Sequence, residues 1–299
     1  MHPPEDAVPT DVLKWVEGSV GAGSQVVRCR LLVGGITSAV HMVDVECGGE
    51  VRKVVLKRWM QGDANERRSW IDREAGILQL LEAAGVPAPR YVASADGSEV
   101  GDVPALIMSR LPGRPWLAPT DPRSWLRQIA TTLARLHDVQ PPEGLPVAEL
   151  NRGAVQTPPD SHQPQLWDRA ADLLTRPAPA GAGFIHGDYQ HFNLLWQHER
   201  LTGVVDWTWT GVGHPDRDVG HCRLNLAVLF TPEWAEDFIA AYESEAGRPT
   251  DPWWNAFELA GYGGDDWQEF IPVQVAGRVS VDTLGMTARV EEQLRRVIS

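Results

Sequence analysis

Apolar residues follow two rhythms along this chain. Val12, Leu13, Val16 and Val20 recur at helical spacing behind Thr10 and Asp11, either of which can cap, and predict an opening helix. From Val26 the period shortens to that of strands: Val26-Val27, Leu31-Leu32-Val33, then Val40, Met42-Val43 and Val45, then Val51 and Val54-Val55-Leu56. Gly48-Gly49 predicts a tight hairpin between two of them. The helical period returns from Asn65 to Ala84, with Ile71, Ala75, Ile77, Leu78, Leu80 and Leu81 on one face, and Gly85-Val86-Pro87 stops it. Val103 to Met108 predicts a buried strand that runs into Ser109-Arg110-Leu111-Pro112-Gly113.

Beyond that loop the helical period dominates. Leu126, Ile129, Leu133 and Leu136 mark a helix over Trp125 to His137, and further helices are predicted over 216–230, 232–246, 252–261 and 285–298. Pro141 to Pro164, rich in proline and polar residues, predicts a loop. Phe184-Ile185, Leu194-Leu195-Trp196 and Val204-Val205 are short apolar runs of strand type. Strands with one long helix followed by mostly helices make an α+β protein.

The short runs bracket polar residues that carry chemistry. Asp188, Asn193 and Asp206 follow one another at intervals of five and thirteen residues, each beside a predicted strand. One carboxylate can orient or deprotonate an attacking hydroxyl, while an amide and a second carboxylate can hold magnesium on a triphosphate; phosphoryl transfer needs those parts. Asp and Asn are common in turns, so no one of the three is informative alone.

Bulk properties narrow the classes. Of 299 residues, 43 % are hydrophobic and 22 % charged, which describes a globular chain long enough for two cores. A net charge of −13 argues against nucleic acid as a partner. No apolar run is long enough for a membrane span, and the first residues lack a signal-peptide pattern. Cys29, Cys47 and Cys222 are unclustered, so a reducing cytoplasm is expected.

His186-Gly187-Asp188 with Asn193 after four intervening residues, Val205-Asp206-Trp207, and Pro215-Asp216-Arg217-Asp218 resemble the aminoglycoside phosphotransferase and choline kinase-like enzymes. These are small-molecule relatives of the protein kinases, and the resemblance runs from about Leu31 to about Ala227. It implies a two-lobed fold: a nucleotide-binding lobe over 1–108, a hinge at 109–113, and a catalytic and substrate-binding lobe over 114–299. It implies Asp188 as the catalytic residue, Asn193 and Asp206 as ligands of Mg2+, and His186 and Asp218 as structural support. Gly34-Gly35 with Thr37 and Ser38 reads either as a hairpin turn or as a phosphate-covering flap, and its place at the first hairpin favours the flap. Lys57 would meet phosphate oxygens, Glu74 would hold Lys57, and backbone groups of Met108, Ser109 and Arg110 would meet the base of ATP or GTP. Gln190-His191-Phe192 departs from the filling common in relatives.

Only eleven residues separate Asp206 from Asp218, too few for the activation segment of a protein kinase, and Gly187 stands where those enzymes carry arginine. The acceptor expected is a small molecule, bound by a monomer or homodimer. Residues 231–270 hold ten acids against one base, Arg248. They read as a solvated face or as a pocket for a cationic acceptor, with Glu233, Trp254, Glu258, Asp265 and Asp266 as its candidate lining. Aminoglycosides and other cationic antibiotics, choline-like compounds and amino sugars all fit; a catalytically idle nucleotide-binding protein is the reading from another class.

Overall fold

The computed structural model describes residues 8–32, 38–86, 88–98, 100–101, 103–148, 153–264, 267–275 and 278–299. The chain divides into two compact units, Met1–Leu111 and Pro112–Ser299.

In the first unit, α1 (Thr10–Val20) buries Val12, Val16 and Val20, spaced by four, against a five-stranded antiparallel sheet. Its strands are β1 (Gln25–Leu32), β2 (Ser38–Cys47), β3 (Glu50–Trp59), β4 (Tyr91–Ala95) and β5 (Ala105–Ser109), in the order β1-β2-β3-β5-β4. The β2–β3 hairpin turns at Gly48 and Gly49, whose φ of 61° and 85° suit a turn that demands left-handed backbone at both positions. One helix, α2 (Ala64–Ala83), joins the β3 and β4 segments; Asp63 and Glu66 close its first turn as a reciprocal capping box. Strand β4 carries no clear alternation and was not foreseen.

The second unit is mostly helical: α3 (Pro122–His137), α4 (Pro164–Leu174), α5 (Asp216–Leu229), α6 (Pro232–Ala246), α7 (Pro252–Ala260), α8 (Trp267–Val275) and α9 (Met286–Ile298). Helix α5 is its axis. Twelve of its fourteen residues are buried, including Asp218 and Arg223, which explains why its sequence shows little amphipathic contrast. The apolar core gathers Leu224 and Val228 of α5 with Trp167, Leu259, Trp267, Val290 and Leu294 from its neighbours. Helices α4 and α8 were not foreseen; each is short, and α8 contains Pro272.

Four short strands sit beside the helices. Strand β6 (Gly183–Ile185) pairs with β9 (Gly211–Gly213), and β7 (Leu194–Gln197) forms a hairpin with β8 (Arg200–Val204). These strands hold the polar loops described next. The segment before α4 is tied down from a distance: buried Glu291 accepts hydrogen bonds from Ser161 Oγ at 2.5 Å and from Trp167 Nε1 at 3.1 Å.

Candidate active site

The loop after β6 is held by its backbone. Both oxygens of buried Asp218, near the start of α5, accept from consecutive amides: His186 N–H and Gly187 N–H, each at 2.7 Å. Burial alone would raise the Asp218 carboxyl; the hydrogen bond and charge of His137, with the backbone hydrogen bond from His186, hold it below the ordinary carboxylate range. Gly187 takes φ of 84°, and a Cβ there would lie 2.3 Å from the Trp209 carbonyl oxygen. Only glycine lets the loop pass so close to the 207–210 turn.

His186 ties this loop to the strand that leads to Asp206. Its Nδ1 accepts from Asp188 N–H at 3.2 Å, while Nε2 donates to the Val205 carbonyl at 3.1 Å. That pattern requires a neutral ring, and burial does lower its basicity. Both of its nitrogens are engaged in the scaffold.

Asn193 and Asp206 lie at the open end of the β7–β8 hairpin. Leu194 pairs with Val204, and Val205 N–H donates to the Asn193 carbonyl at 2.9 Å, so the residues that flank the hairpin are neighbours. Asp206 takes φ of 65°, a left-handed conformation that Asp tolerates better than most residues. Its Oδ1 accepts from Thr208 Oγ1 at 3.0 Å. Asn193 Nδ2 donates to the Asp188 backbone oxygen and to its Oδ2, both at 2.9 Å, which turns its amide oxygen away from Asp188.

Asp188 itself is the focus of these contacts. Its Oδ1 accepts from Gln190 Nε2 at 2.7 Å and from His221 Nε2 at 2.9 Å. The departure at Gln190 thus supplies a donor to the candidate catalytic carboxylate. His191, in the same departure, is fully buried against Phe192 and Phe230; burial, then the charges of His221 and Arg278, push its pKa down to about 3. His221 was missed in the sequence, where it reads as one more polar position on α5. Burial disfavours its charge, but hydrogen bonds to Asp188 and Glu258 and their charges push its pKa up to about 10.

In the first unit, Lys57 Nζ meets Glu74 Oε2 at 2.8 Å, the ion pair expected from the family resemblance. Ser38 is buried at the start of β2, whereas Gly34, Gly35 and Thr37 lie outside the described residues. Met108 and Ser109 end β5; Ser109 N–H donates to Arg90 O at 2.8 Å and Arg110 N–H to Lys53 O at 3.3 Å, so those two amides are engaged within the unit.

Among the described residues, the candidates for the acceptor site lie on two helices, α6 and α7. Glu258 on α7 comes to His221, but it is buried, with Arg217 Nε 3.6 Å away. Glu233 is in the first turn of α6, and Trp254 is buried with its indole N–H on the Pro179 carbonyl at 3.2 Å. Asp265 and Asp266 lie outside the described residues. Among the described residues, no group of three or more His, Cys, Asp and Glu side chains forms a metal cage. Asn193 and Asp206 fit instead the sparse protein donor set of magnesium, which takes its other oxygens from phosphates and water.

An α+β fold with this loop and hairpin defines a kinase-like phosphotransferase architecture. The chain belongs to the phosphotransferase enzyme family, whose model matches residues 43–254. It is 30 % identical to viomycin phosphotransferase of Streptomyces vinaceus over 182 residues, 51 % of this chain and 62 % of that protein. Acyl-CoA dehydrogenase family member 10 of Mus musculus is 26 % identical over 199 residues, 58 % of this chain but 18 % of that protein, so the chain spans under a fifth of that relative's length. Among solved structures, a thermostable mutant of aminoglycoside phosphotransferase APH(4)-Ia, in ternary complex with ADP and hygromycin B, superposes with a TM-score of 0.61 at 17 % identity, covering 97 % of this chain and 98 % of that one. Macrolide 2'-phosphotransferase MphH from Brachybacterium faecium gives 0.56 at 19 % identity, covering 91 % and 99 %. These likenesses establish the fold.

Proposed function

We propose that the protein transfers the γ-phosphate of ATP or GTP to a hydroxyl of a small molecule, with Asp188 as the catalytic residue. The observation that carries this reading is the fixed Asp188 carboxylate, held by Asn193 and Gln190 on a loop whose backbone is locked by Asp218. A carboxylate so held can accept a hydrogen bond from an alcohol and align its oxygen for in-line attack. The bond from the γ-phosphorus to the β–γ bridging oxygen breaks as the new O–P bond forms, the nucleoside diphosphate leaves, and Asp188 takes up the hydroxyl proton during or after that step. Lys57, steadied by Glu74, is the proposed cation for phosphate oxygens. Asn193 and Asp206 would hold Mg2+, which when bound neutralises charge on the triphosphate.

For the acceptor, the viomycin and hygromycin B relatives favour a cationic antibiotic. A metabolite of choline or amino-sugar type is the second reading. The test is nucleotide turnover with magnesium against aminoglycosides, viomycin, choline, ethanolamine and amino sugars, with Asp188→Ala as blank. Acceptor-dependent turnover absent from the blank supports the reading. Equal turnover in the blank sinks it.

A further inference from the structure

His221 stands on α5 three residues after Asp218, and its ring lies between two carboxylates. Nε2 is 2.9 Å from Asp188 Oδ1 and Nδ1 is 3.2 Å from Glu258 Oε2. An ionised carboxylate only accepts, so both ring nitrogens must carry a proton for both contacts to be hydrogen bonds. A neutral ring would set a bare nitrogen lone pair against one of the anions. Asn225 Nδ2 also lies 3.2 Å from Nε2, but it donates to the His221 carbonyl at 3.0 Å.

The far end of this arrangement is equally fixed. Glu258 is 3 % exposed, and Arg217 approaches its other oxygen. It reaches the ring because α5 and α7 close on each other at Gly220. A Cβ on that glycine would lie 2.9 Å from the Trp254 carbonyl oxygen and 3.1 Å from the Glu258 side chain. Glycine there is a matter of space.

A carboxylate offers about four lone-pair directions. At Asp188, Gln190 and His221 occupy those of Oδ1, and Asn193 takes one on Oδ2. The direction left over is on Oδ2. Resting on the phosphotransferase reading, we propose that His221 is a positioning residue: clamped between Asp188 and Glu258, it fixes Oδ1 so that Oδ2 receives the acceptor hydroxyl. Glu258 then acts through His221, and its charge is matched inside the protein instead of by a cationic group of the acceptor. Among the described residues, the charged groups that face the ring are Asp188 from the loop, Glu258 from α7 and, through Glu258, Arg217 of α5 itself, with the buried, uncharged ring of His191 also near it.

The experiment uses the full chain with magnesium and ATP, and reads ADP release with the best acceptor or, with none, with water. His221→Gln should lower kcat on the order of 100-fold, as expected for a misplaced reacting group, with KM for ATP unchanged. Glu258→Gln should lower kcat less, on the order of 10-fold, since the ring keeps its bond to Asp188. In parallel, 15N-histidine NMR at about pH 8, above the ordinary histidine range, should show both His221 nitrogens protonated in the wild type but not in Asp188→Asn. A neutral ring in the wild type, or an unchanged kcat in His221→Gln, overturns the clamp. If the wild type releases no ADP, the phosphotransferase reading fails by itself, and the NMR comparison decides the clamp.

Discussion

Lys57 and Glu74 form a buried ion pair, Nζ to Oε2 2.8 Å, with side chains 6 % and 2 % exposed. It joins β3 to α2, and Trp59 adds to the junction by lying 4.8 Å under the ammonium and stacking on Trp70. Removing the carboxylate takes a 2.8 Å partner from a buried ammonium, so Glu74→Ala should cost about 3–5 kcal/mol. The double replacement Lys57→Met with Glu74→Leu should be far less costly, because no charge is left behind. Urea denaturation of the two variants checks this; equal losses would mean that the pair is not the determinant.

Asp188 and Asp206 should separate turnover from nucleotide binding. Asp188→Ala should abolish phosphate transfer and leave nucleotide affinity within about 3-fold, under 1 kcal/mol. Asp206→Asn keeps a residue that tolerates the left-handed backbone at that position. It should therefore fold normally and lose the magnesium-dependent part of nucleotide affinity. Calorimetric titration with and without magnesium reads both effects, and an Asp206→Asn protein that still gains affinity from magnesium would refute the ligand role.

Stability should fall on both sides of neutrality through two histidines of opposite character. His221 has a folded pKa of about 10, above its ordinary value. Its contribution is complete below about pH 6.5 and is lost as pH rises through about 10, because the folded state binds the proton more tightly. His191 has a folded pKa of about 3. The unfolded chain takes up that proton first, so stability is complete above about pH 6.5 and declines as pH falls toward 3. Denaturation midpoints across pH should show His221→Gln flattening the alkaline decline and His191→Phe the acid one. Parallel pH profiles for either variant and the wild type would contradict the assignment.

Gly187→Ala should be among the most damaging single changes. The new methyl would meet a carbonyl oxygen at 2.3 Å, in a backbone conformation that disfavours any side chain. A cost of about 2–4 kcal/mol is expected from strain and displacement together. A thermal melt indistinguishable from wild type would show that the 207–210 turn moves freely.

Local chemistry made much of this readable from residues. The Gly48-Gly49 turn, the stripe on α2 and the strand-flanked Asp188, Asn193 and Asp206 are signalled by neighbours within a few positions. His221 is not, because its partners Asp188 and Glu258 lie 33 and 37 residues away in sequence. Glu258 shows the converse problem. In sequence it is one of many acids; in the fold it is buried beside an imidazolium and a guanidinium. Net charge over a segment cannot say which carboxylates are already matched. Helix α5 posed a similar obstacle, since a helix buried nearly all round has no polar face to reveal its register.

Gly220 sets a limit on how this protein can be made hardier. Replacing a helical glycine by alanine ordinarily strengthens the helix by about 1 kcal/mol, and such changes are routine in thermostabilisation. Here the added methyl would wedge α7 away from α5 at the point where Glu258 reaches His221. A variant chosen for helix strength at that position would gain local backbone order but lose the packing of α7 on α5 and, with it, the alignment of Asp188.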